Sequence, residues 1–445
     1  MPIYMKLEIS LYIHIFERSG HYYLFNTVNN FFCEIDTETY HNLKDNNQTV
    51  FSRDEIKFLH QKKVLLTADE SRNILLDQKL KYQVSSYQQD VLGLVLVPTT
   101  ACNFACPYCF EQNKPNVTMS DRTAKQLIKF INTHPNAKSI NLTWYGGEPL
   151  LAIDRIKQLL HAFETDIKIP IEKHHMVTNG YLLTPEVADF MGKHGLKSVQ
   201  ITLDGTEEQH NRTRCLKRSS AGTFEHILSN IDALLKHQPQ IKVSVRVNVD
   251  KANADAFFPL YKDLAERWSD KNIYIYPGFI RQDTPDGQNL CSRCITVDDG
   301  PEFFSMLRNR GANLNHRTKL VDKGCMANQI NSYIVGPRGE IYKCWNDVSN
   351  PKRIVGYIHR KQLSNNNLLY KYMTETSPFD DPACQQCDVM TICSGGCAWY
   401  RMRNKFENGR FNVCSIYKNK KFLEDALLYN MVNRSKKHTM PSIDV

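Results

Sequence analysis

Cys102, Cys106 and Cys109 lie in the run Thr99-Thr100-Ala101-Cys102-Asn103-Phe104-Ala105-Cys106-Pro107-Tyr108-Cys109-Phe110. The C-x3-C-x2-C spacing places three thiols on one tight loop. An iron–sulfur cubane usually takes four thiolates, so a loop offering three leaves one iron free for a ligand that is not protein. A zinc site completed by a fourth Cys or His would use the same residue types. Position favours the cluster. The loop follows the apolar run Val91-Leu92-Gly93-Leu94-Val95-Leu96-Val97, closed by Pro98, which reads as a buried strand. Catalytic loops of (β/α) barrels sit at the C-terminal ends of their strands.

Seven further cysteines form a second system: Cys325, Cys344, Cys384, Cys387, Cys393, Cys397 and Cys414. Cys344 ends a Gly-x4-Cys run that starts at Gly339, and Cys384 to Cys397 read C-x2-C-x5-C-x3-C. Thiolate sites of this kind accept zinc or iron–sulfur. Cys291 and Cys294 make a separate C-x2-C pair, Cys33 reads as a buried thiol, and Cys215 as a bystander.

Three other segments carry polar groups at predicted strand ends. Trp144-Tyr145-Gly146-Gly147-Glu148-Pro149 joins two glycines, which let backbone approach a ligand, to a carboxylate that can accept from an ammonium. Pro149 suits a helix start. Thr178-Asn179-Gly180 and Thr202-Leu203-Asp204-Gly205 close two more strands, and the latter is followed by His210-Asn211-Arg212-Thr213-Arg214. A guanidinium offers paired donors to a carboxylate, while a surface ion pair is the plainer use of Arg214.

The elements that must position these groups form three blocks. In residues 1–85, apolar runs at 7–16, 21–25 and 31–35 predict strands, Thr37–Leu43 a short helix, Ser52-Arg53-Asp54-Glu55 a capping box opening another, and Val64–Leu66 a returning strand. Residues 90–285 alternate regularly. Strands are expected at 93–98, 140–145, 174–178, 197–203, 241–249 and 273–280, with amphipathic helices near 121–133, 150–165, 184–194, 223–237 and 253–268. Such repetition implies parallel strands joined by crossovers, in an α/β fold. Residues 286–324 bridge to a cysteine-rich block at 325–430, and the polar tail after about 432 should fray.

Composition bounds the rest. The chain has 445 residues, 42% hydrophobic and 23% charged, as ordinary globular proteins do. It shows no apolar run of membrane-spanning length and no apolar signal core near its start, so a cytoplasmic location without membrane attachment is expected. Fourteen cysteines then favour metal or cluster ligation over disulfides. The net charge of +9 is dispersed, with short runs at Lys418, Lys420 and Lys421 and at Arg434, Lys436 and Lys437. It reads as a solvated surface or one suited to an acidic peptide, and a nucleic-acid partner is not expected.

These motifs together resemble the radical S-adenosylmethionine (SAM) superfamily, in particular its peptide-modifying branch with a SPASM domain. The three-cysteine loop is similar to the SAM-cluster motif, Gly146-Gly147-Glu148-Pro149 to the GGEP motif, and Thr202–Arg214 to a SLDG…HDxxR stretch, with Thr202 for Ser and Asn211 for Asp. The resemblance implies a partial (β/α)6 TIM-like barrel over 90–285, a winged-helix-like leader-recognition domain over 1–85 and a SPASM domain over 325–430. It implies three [4Fe–4S] clusters. One is held by Cys102, Cys106 and Cys109. Auxiliary cluster I takes Cys325, Cys344 and Cys397, and auxiliary cluster II takes Cys384, Cys387, Cys393 and Cys414. The fourth ligand of cluster I is left to Cys291, Cys294 or a substrate thiolate. SAM would meet Tyr108, Gly146, Gly147, Glu148, Asn179, Thr202 and Arg214.

The implied activity is modification of a ribosomally made precursor peptide by a 5′-deoxyadenosyl radical, for instance by a thioether or carbon–carbon cross-link, with a flavodoxin or ferredoxin as electron donor. The sequence names neither the bond nor the peptide. An anaerobic sulfatase-maturating enzyme is the alternative. Those enzymes carry an aspartate directly after the Gly-x4-Cys cysteine, where Trp345 stands here and the nearest acid is Asp347. They also begin close to the cluster loop, whereas a long block precedes it here. A zinc-binding regulatory protein is the alternative of another class.

Overall fold

The structure, a computed structural model, describes residues 6–109, 115–280, 293–315, 318–362, 364–393, 395–433 and 443–444. Residues 7–16, expected as one strand, are broken by a turn at Leu11–Tyr12 into β1 (Glu8–Ile9) and β2 (Ile13–Arg18). β2, β3 (His21–Asn26) and β4 (Phe31–Ile35) form an antiparallel meander in that order. Its first turn is the two-residue Ser19-Gly20, both left-handed at φ 55° and 79°, the geometry that matches strand twist. Helices Thr37–Lys44 and Arg53–Gln61 follow, the second opened by a complete Ser52/Glu55 capping box. β5 (Leu65–Leu66) pairs with β1 rather than joining the meander. A helix the pattern did not announce, Ala68–Tyr87, then spans 20 residues from a Thr67/Glu70 capping box.

The centre is a parallel sheet whose strands lie side by side in chain order: β6 (Val91–Leu96), β7 (Ser139–Trp144), β8 (Ile171–Thr178), β9 (Ser198–Leu203), β10 (Lys242–Val249) and β11 (Ile273–Phe279). Helices Asp121–Ile131, Ile153–Asp166, Pro185–Lys193, Phe224–His237 and Ala254–Arg267 connect them. Alternation decides the faces. Leu92, Leu94, Leu96, Ile140, Leu142, Val199, Ile201, Val243, Val245 and Val247 are at most 1% exposed and share one core with helix residues such as Leu127, Ile156, Ile231 and Leu264. Each such side chain contributes about 1.5–3 kcal/mol relative to exposure. The intervening residues face the opposite, concave side.

The cysteine-rich block continues this sheet. After β12 (Leu314–Asn315), β13 (Ser332–Val335) pairs in parallel with β6, and β14 (Glu340–Tyr342) and β15 (Gly356–Tyr357) extend it antiparallel, giving nine strands; β16 (Ile443–Asp444) pairs with β12. Val95, Val97, Ile334, Tyr342 and Val348 make a second small core on the concave side. The N-terminal block leans on the cysteine-rich block: Thr27 Oγ1 donates to Asp388 O at 2.7 Å and Thr391 Oγ1 to Thr27 O at 2.7 Å. Among the described residues no helix is long and apolar enough to cross a membrane. Cys291, Arg434, Lys436 and Lys437 lie outside the described residues.

Candidate functional site

Strand ends converge on the cysteine loop. Thr99 Oγ1 and Thr100 N both donate to Val117 O, at 3.0 and 2.9 Å, pinning the loop's start. Cys106 is buried, and Cys102 and Cys109 are half-buried. The three sulfurs lie within electrostatic reach of one another, and burial pushes Cys102 up to about 12 and Cys106 up to about 11. Thiols this reluctant to ionise become ligands when a metal takes their protons.

The turn after β7 presses on this loop. Gly147 N donates to Thr99 O at 3.3 Å and Glu148 N to Ala101 O at 2.8 Å. A Cβ on Gly146 would lie 2.3 Å from Thr99 O, and one on Gly147 2.3 Å from Ala101 O. The glycines therefore serve first the approach of two backbones. Glu148 is fully buried. Its Oε1 accepts from Leu150 N at 3.0 Å and Thr178 Oγ1 at 2.7 Å, and its Oε2 from Asn179 N at 2.7 Å. Burial raises its pKa against those bonds. Asn179 Nδ2 in turn donates to Asn103 Oδ1 on the cysteine loop at 2.8 Å.

A buried polar cluster closes the other side. Tyr108 OH donates to Asp204 Oδ2. Arg214 Nη1 donates to Tyr108 OH at 3.1 Å and lies 3.7 Å from Asp204 Oδ1, with its guanidinium over the Phe104 ring. Asn248 Nδ2 donates to Asp204 Oδ1 at 2.9 Å and Tyr108 OH at 3.2 Å, and Thr213 Oγ1 to Asp204 Oδ2 at 2.9 Å. Burial opposes the Arg214 charge, but Tyr108 and Asp204 outweigh it and hold the guanidinium protonated. Thr202 is on β9, register partner of Arg246 on β10. Sequence places Asp204 in the Thr202–Gly205 motif without a role of its own, and gives Asn248 none. The signal for Asn248 was available: Val243, Val245, Val247 and Val249 alternate with Ser244, Arg246 and Asn248.

Two buried donors near the loop, Asn103 Nδ2 and Arg214 Nε, have no hydrogen-bond partner. Buried orphans are costly and mark places completed by a ligand. With three adjacent thiols, these donors fit a cluster carrying a polar, carboxylate-bearing ligand.

The second cysteine system is gathered in two groups. Cys344 lies within electrostatic reach of Cys325 and Cys397. Cys393 is near both Cys384 and Cys387, and Lys418 Nζ, 3.6 Å from Cys414 Sγ, also feels Cys387 and Cys384. Arg401 Nη2 donates to Cys384 Sγ at 2.8 Å. Among the described residues no three His, Cys, Asp or Glu side chains are disposed to hold a single metal ion. Cys294, offered by the sequence as a fourth ligand of auxiliary cluster I, is instead buried and disulfide-bonded, so it holds no free thiol for that role. Lys343, fully buried beside Cys344, donates to Gln329 O at 2.5 Å and Ser332 O at 2.7 Å. Asp347 is 1% exposed; Tyr372 OH donates to it at 2.6 Å and Trp399 Nε1 at 3.0 Å, and burial pushes it up to about 6. The Trp345 ring packs edge-on against Tyr145, centroids 4.6 Å apart, joining the Cys344 segment to the turn that carries Gly146 and Gly147.

Comparison with known proteins gives this geometry its setting. Residues 96–264 match the Radical SAM superfamily. The radical SAM cyclopropyl synthase TigE of Paramaledivibacter caminithermalis is 18% identical over 93% of this chain and 94% of its own length. The cysteine-type anaerobic sulfatase-maturating enzyme of Clostridium novyi is 23% identical over 72% of this chain and 90% of its own. Among solved structures, anSMEcpe with bound AdoMet and the Cp18Cys peptide superposes with a TM-score of 0.59 at 18% identity, covering 77% of this chain and 97% of that one. Streptococcus suis SuiB bound to precursor peptide SuiA gives 0.51 at 17% identity, covering 92% of this chain and all of that one. Superfamily chemistry uses a [4Fe–4S] cluster and SAM. With the match centred on the strand ends described above, this chain carries a radical SAM domain over residues 96–264 and the protein is a radical SAM enzyme.

Proposed function

We propose that this enzyme modifies a ribosomally made precursor peptide, forming a cross-link on residues held over the concave face of the sheet. When bound, the cluster and SAM supply a 5′-deoxyadenosyl radical that removes a hydrogen atom from the substrate. Cys102, Cys106 and Cys109 would hold that cluster. Arg214 and Thr202 would meet the SAM carboxylate, Tyr108 its adenine, and Gly146, Gly147, Glu148 and Asn179 its amino end. Glu148 also braces the turn, since its oxygens already tie β8 to the segment before helix Ile153–Asp166.

Cys325, Cys344 and Cys397 would hold one auxiliary cluster and Cys384, Cys387, Cys393 and Cys414 another. The leader would dock on residues 1–85 as an added strand, where β2 and β4 are the edges of the meander. β4 is the edge next to the block's own core, against which Phe31 and Ile35 pack, so an added strand would meet its backbone.

The observation that carries this reading is the Trp345–Tyr145 contact. At the position where sulfatase maturases bear an aspartate stands an indole packed on the SAM-side turn, and the nearest acid, Asp347, is sealed among Tyr372, Trp399 and Arg353. Neither side chain suits a base that must reach a substrate. The 90% coverage of the Clostridium novyi enzyme supports formylglycine formation as the second reading. Anaerobic co-expression with each small open reading frame beside the gene, followed by mass spectrometry, separates them. The expected product is a peptide lighter by two hydrogens per cross-link, and with Cys106→Ala in place of the wild type the peptide keeps its unmodified mass. A neighbouring sulfatase converted to formylglycine, with no peptide altered, would reverse the ranking.

A further inference from the structure

Arg246 occupies the concave face one step below the polar cluster at the strand ends. Its register partners are Thr202 on β9 and Tyr276 on β11. Two residues on, Asn248 points to the same face and bonds to Tyr108 of the cysteine loop. Below it, Tyr276 OH donates to Gln200 Oε1 at 2.8 Å across β10. The guanidinium thus lies on the floor between the candidate SAM site and an aromatic shelf of Tyr276 and Tyr274, whose rings stack at 5.4 Å.

This cation is underused. Nε donates to Asn248 Oδ1 at 2.9 Å, and Nη2 reaches Phe279 O only at 3.5 Å. Among the described residues no carboxylate pairs with it, and the nearest candidate by position, Asp204, is committed to Tyr108, Thr213, Asn248 and Arg214. Yet the fold makes room for it: a Cβ on Gly278 would sit 2.1 Å from Arg246 Nε, so a larger residue there would push the guanidinium aside. Nη1 makes no hydrogen bond to a described residue, and the planar fork of a half-buried guanidinium suits a carboxylate.

We infer that Arg246 is a specificity residue that grips a carboxylate of the substrate peptide, drawing the neighbouring residue across the face toward the SAM site. The inference rests on the peptide-modifying reading above. The carboxylate belongs to an Asp or Glu side chain or to the peptide's C-terminus, which share this chemistry.

The test uses the reconstituted holoenzyme with SAM, held anaerobically. A randomised display library of short peptides is selected on wild type, Arg246→Gln, Arg246→Lys and, as a control for bulk charge, Arg122→Gln, an exposed helix residue. SAM binding by equilibrium dialysis certifies each variant as folded. Wild type and Arg122→Gln should enrich an acidic residue at one position or a free C-terminus, and both Arg246 variants should lose that enrichment. The best wild-type peptide is then resynthesised with its acid as the amide, or with its C-terminus amidated, to tell the two sources apart. Neutralising the correct carboxylate should weaken binding about tenfold to wild type and leave binding to Arg246→Gln unchanged. Equal acid enrichment by Arg246→Gln overturns the inference, as does a loss that falls on SAM binding with peptide selection intact. A wild type whose selected peptides show no acidic preference overturns the inference, whereas a wild type that alters no neighbouring peptide in the co-expression test overturns the peptide reading beneath it.

Discussion

Buried single side chains tie neighbouring elements together, and the histidines among them impose a pH dependence. His174 is buried; its Nε2 accepts from Trp144 Nε1 at 2.8 Å, and Nδ1 faces His194 O at 3.1 Å. This is the neutral tautomer with the proton on Nδ1, and a second proton would set N–H against N–H. Burial accordingly pushes His174 down from 6.5 to about 4. His210, buried against Asp204 N and Thr223, is pushed down to about 2 by burial and the Arg214 charge. Because the folded state binds fewer protons than the unfolded one, the stability these groups contribute is complete above pH 6.5 and is lost as pH falls, toward 4 for His174 and toward 2 for His210. For His174 alone the loss is about 3 kcal/mol at its limit, at about 1.4 kcal/mol per pH unit. Thermal melts from pH 7.5 to 4.5 should show Tm falling below pH 6.5, with a shallower fall in His174→Gln. A flat profile for the wild type would contradict the assignment.

Turns and strand pairings carry the next scale. The two glycines before Glu148 matter because the turn and the cysteine loop touch through backbone. Gly147→Ala would drive a methyl against Ala101 O and Thr100 O, neither of which can rotate away. The expected cost is about 1–3 kcal/mol, with SAM affinity reduced while secondary structure is kept; equilibrium dialysis and circular dichroism read the two parts. Unaltered SAM affinity would mean that the turn does not shape the site.

The central strands were legible because Val and Ile alternate with polar residues between amphipathic helices, and β6 to β11 fall within three residues of the positions that pattern predicts. Helix Ala68–Tyr87 escaped because its apolar residues do not form a single buried face: Leu76, Leu80, Val84 and Tyr87 are exposed. Their spacing of four, four and three was nonetheless a helical signal. The pairing of β13 with β6 could not be read, since no local pattern links residues 332–335 to 93–96. The motif and the alternation mark Asp204 and Asn248 as polar residues of strand ends, but not what they bond to. Their partners, Tyr108 and Arg214, come from other elements, and only the fold brings the four together.

At the scale of the molecule, the N-terminal block is tied by charge to the helix Lys420–Asn433. Glu424 accepts from His14 and Arg18, each at 3.1 Å, and Asp425 pairs with Arg18 at 3.0 Å and Arg308 at 3.2 Å. These groups are mostly shielded, so removing one leaves its partners uncompensated. Glu424→Ala should destabilise the docking by about 1–3 kcal/mol and speed hydrogen exchange over residues 6–66, leaving the central sheet protected. Uniform exchange in both proteins would show that the block is held by other contacts. The nine-stranded sheet is the framework for part of the cysteine system: Cys102, Cys106 and Cys109 follow β6, and Cys344 follows β14.

The most direct test of that framework is an iron and sulfide count on anaerobically reconstituted protein. The account predicts about 12 irons per chain for the wild type and about 8 when Cys102, Cys106 and Cys109 are alanine, with SAM cleavage lost. About 4 irons in the wild type, all lost with those three cysteines, would contradict it by leaving the C-terminal cysteines without clusters.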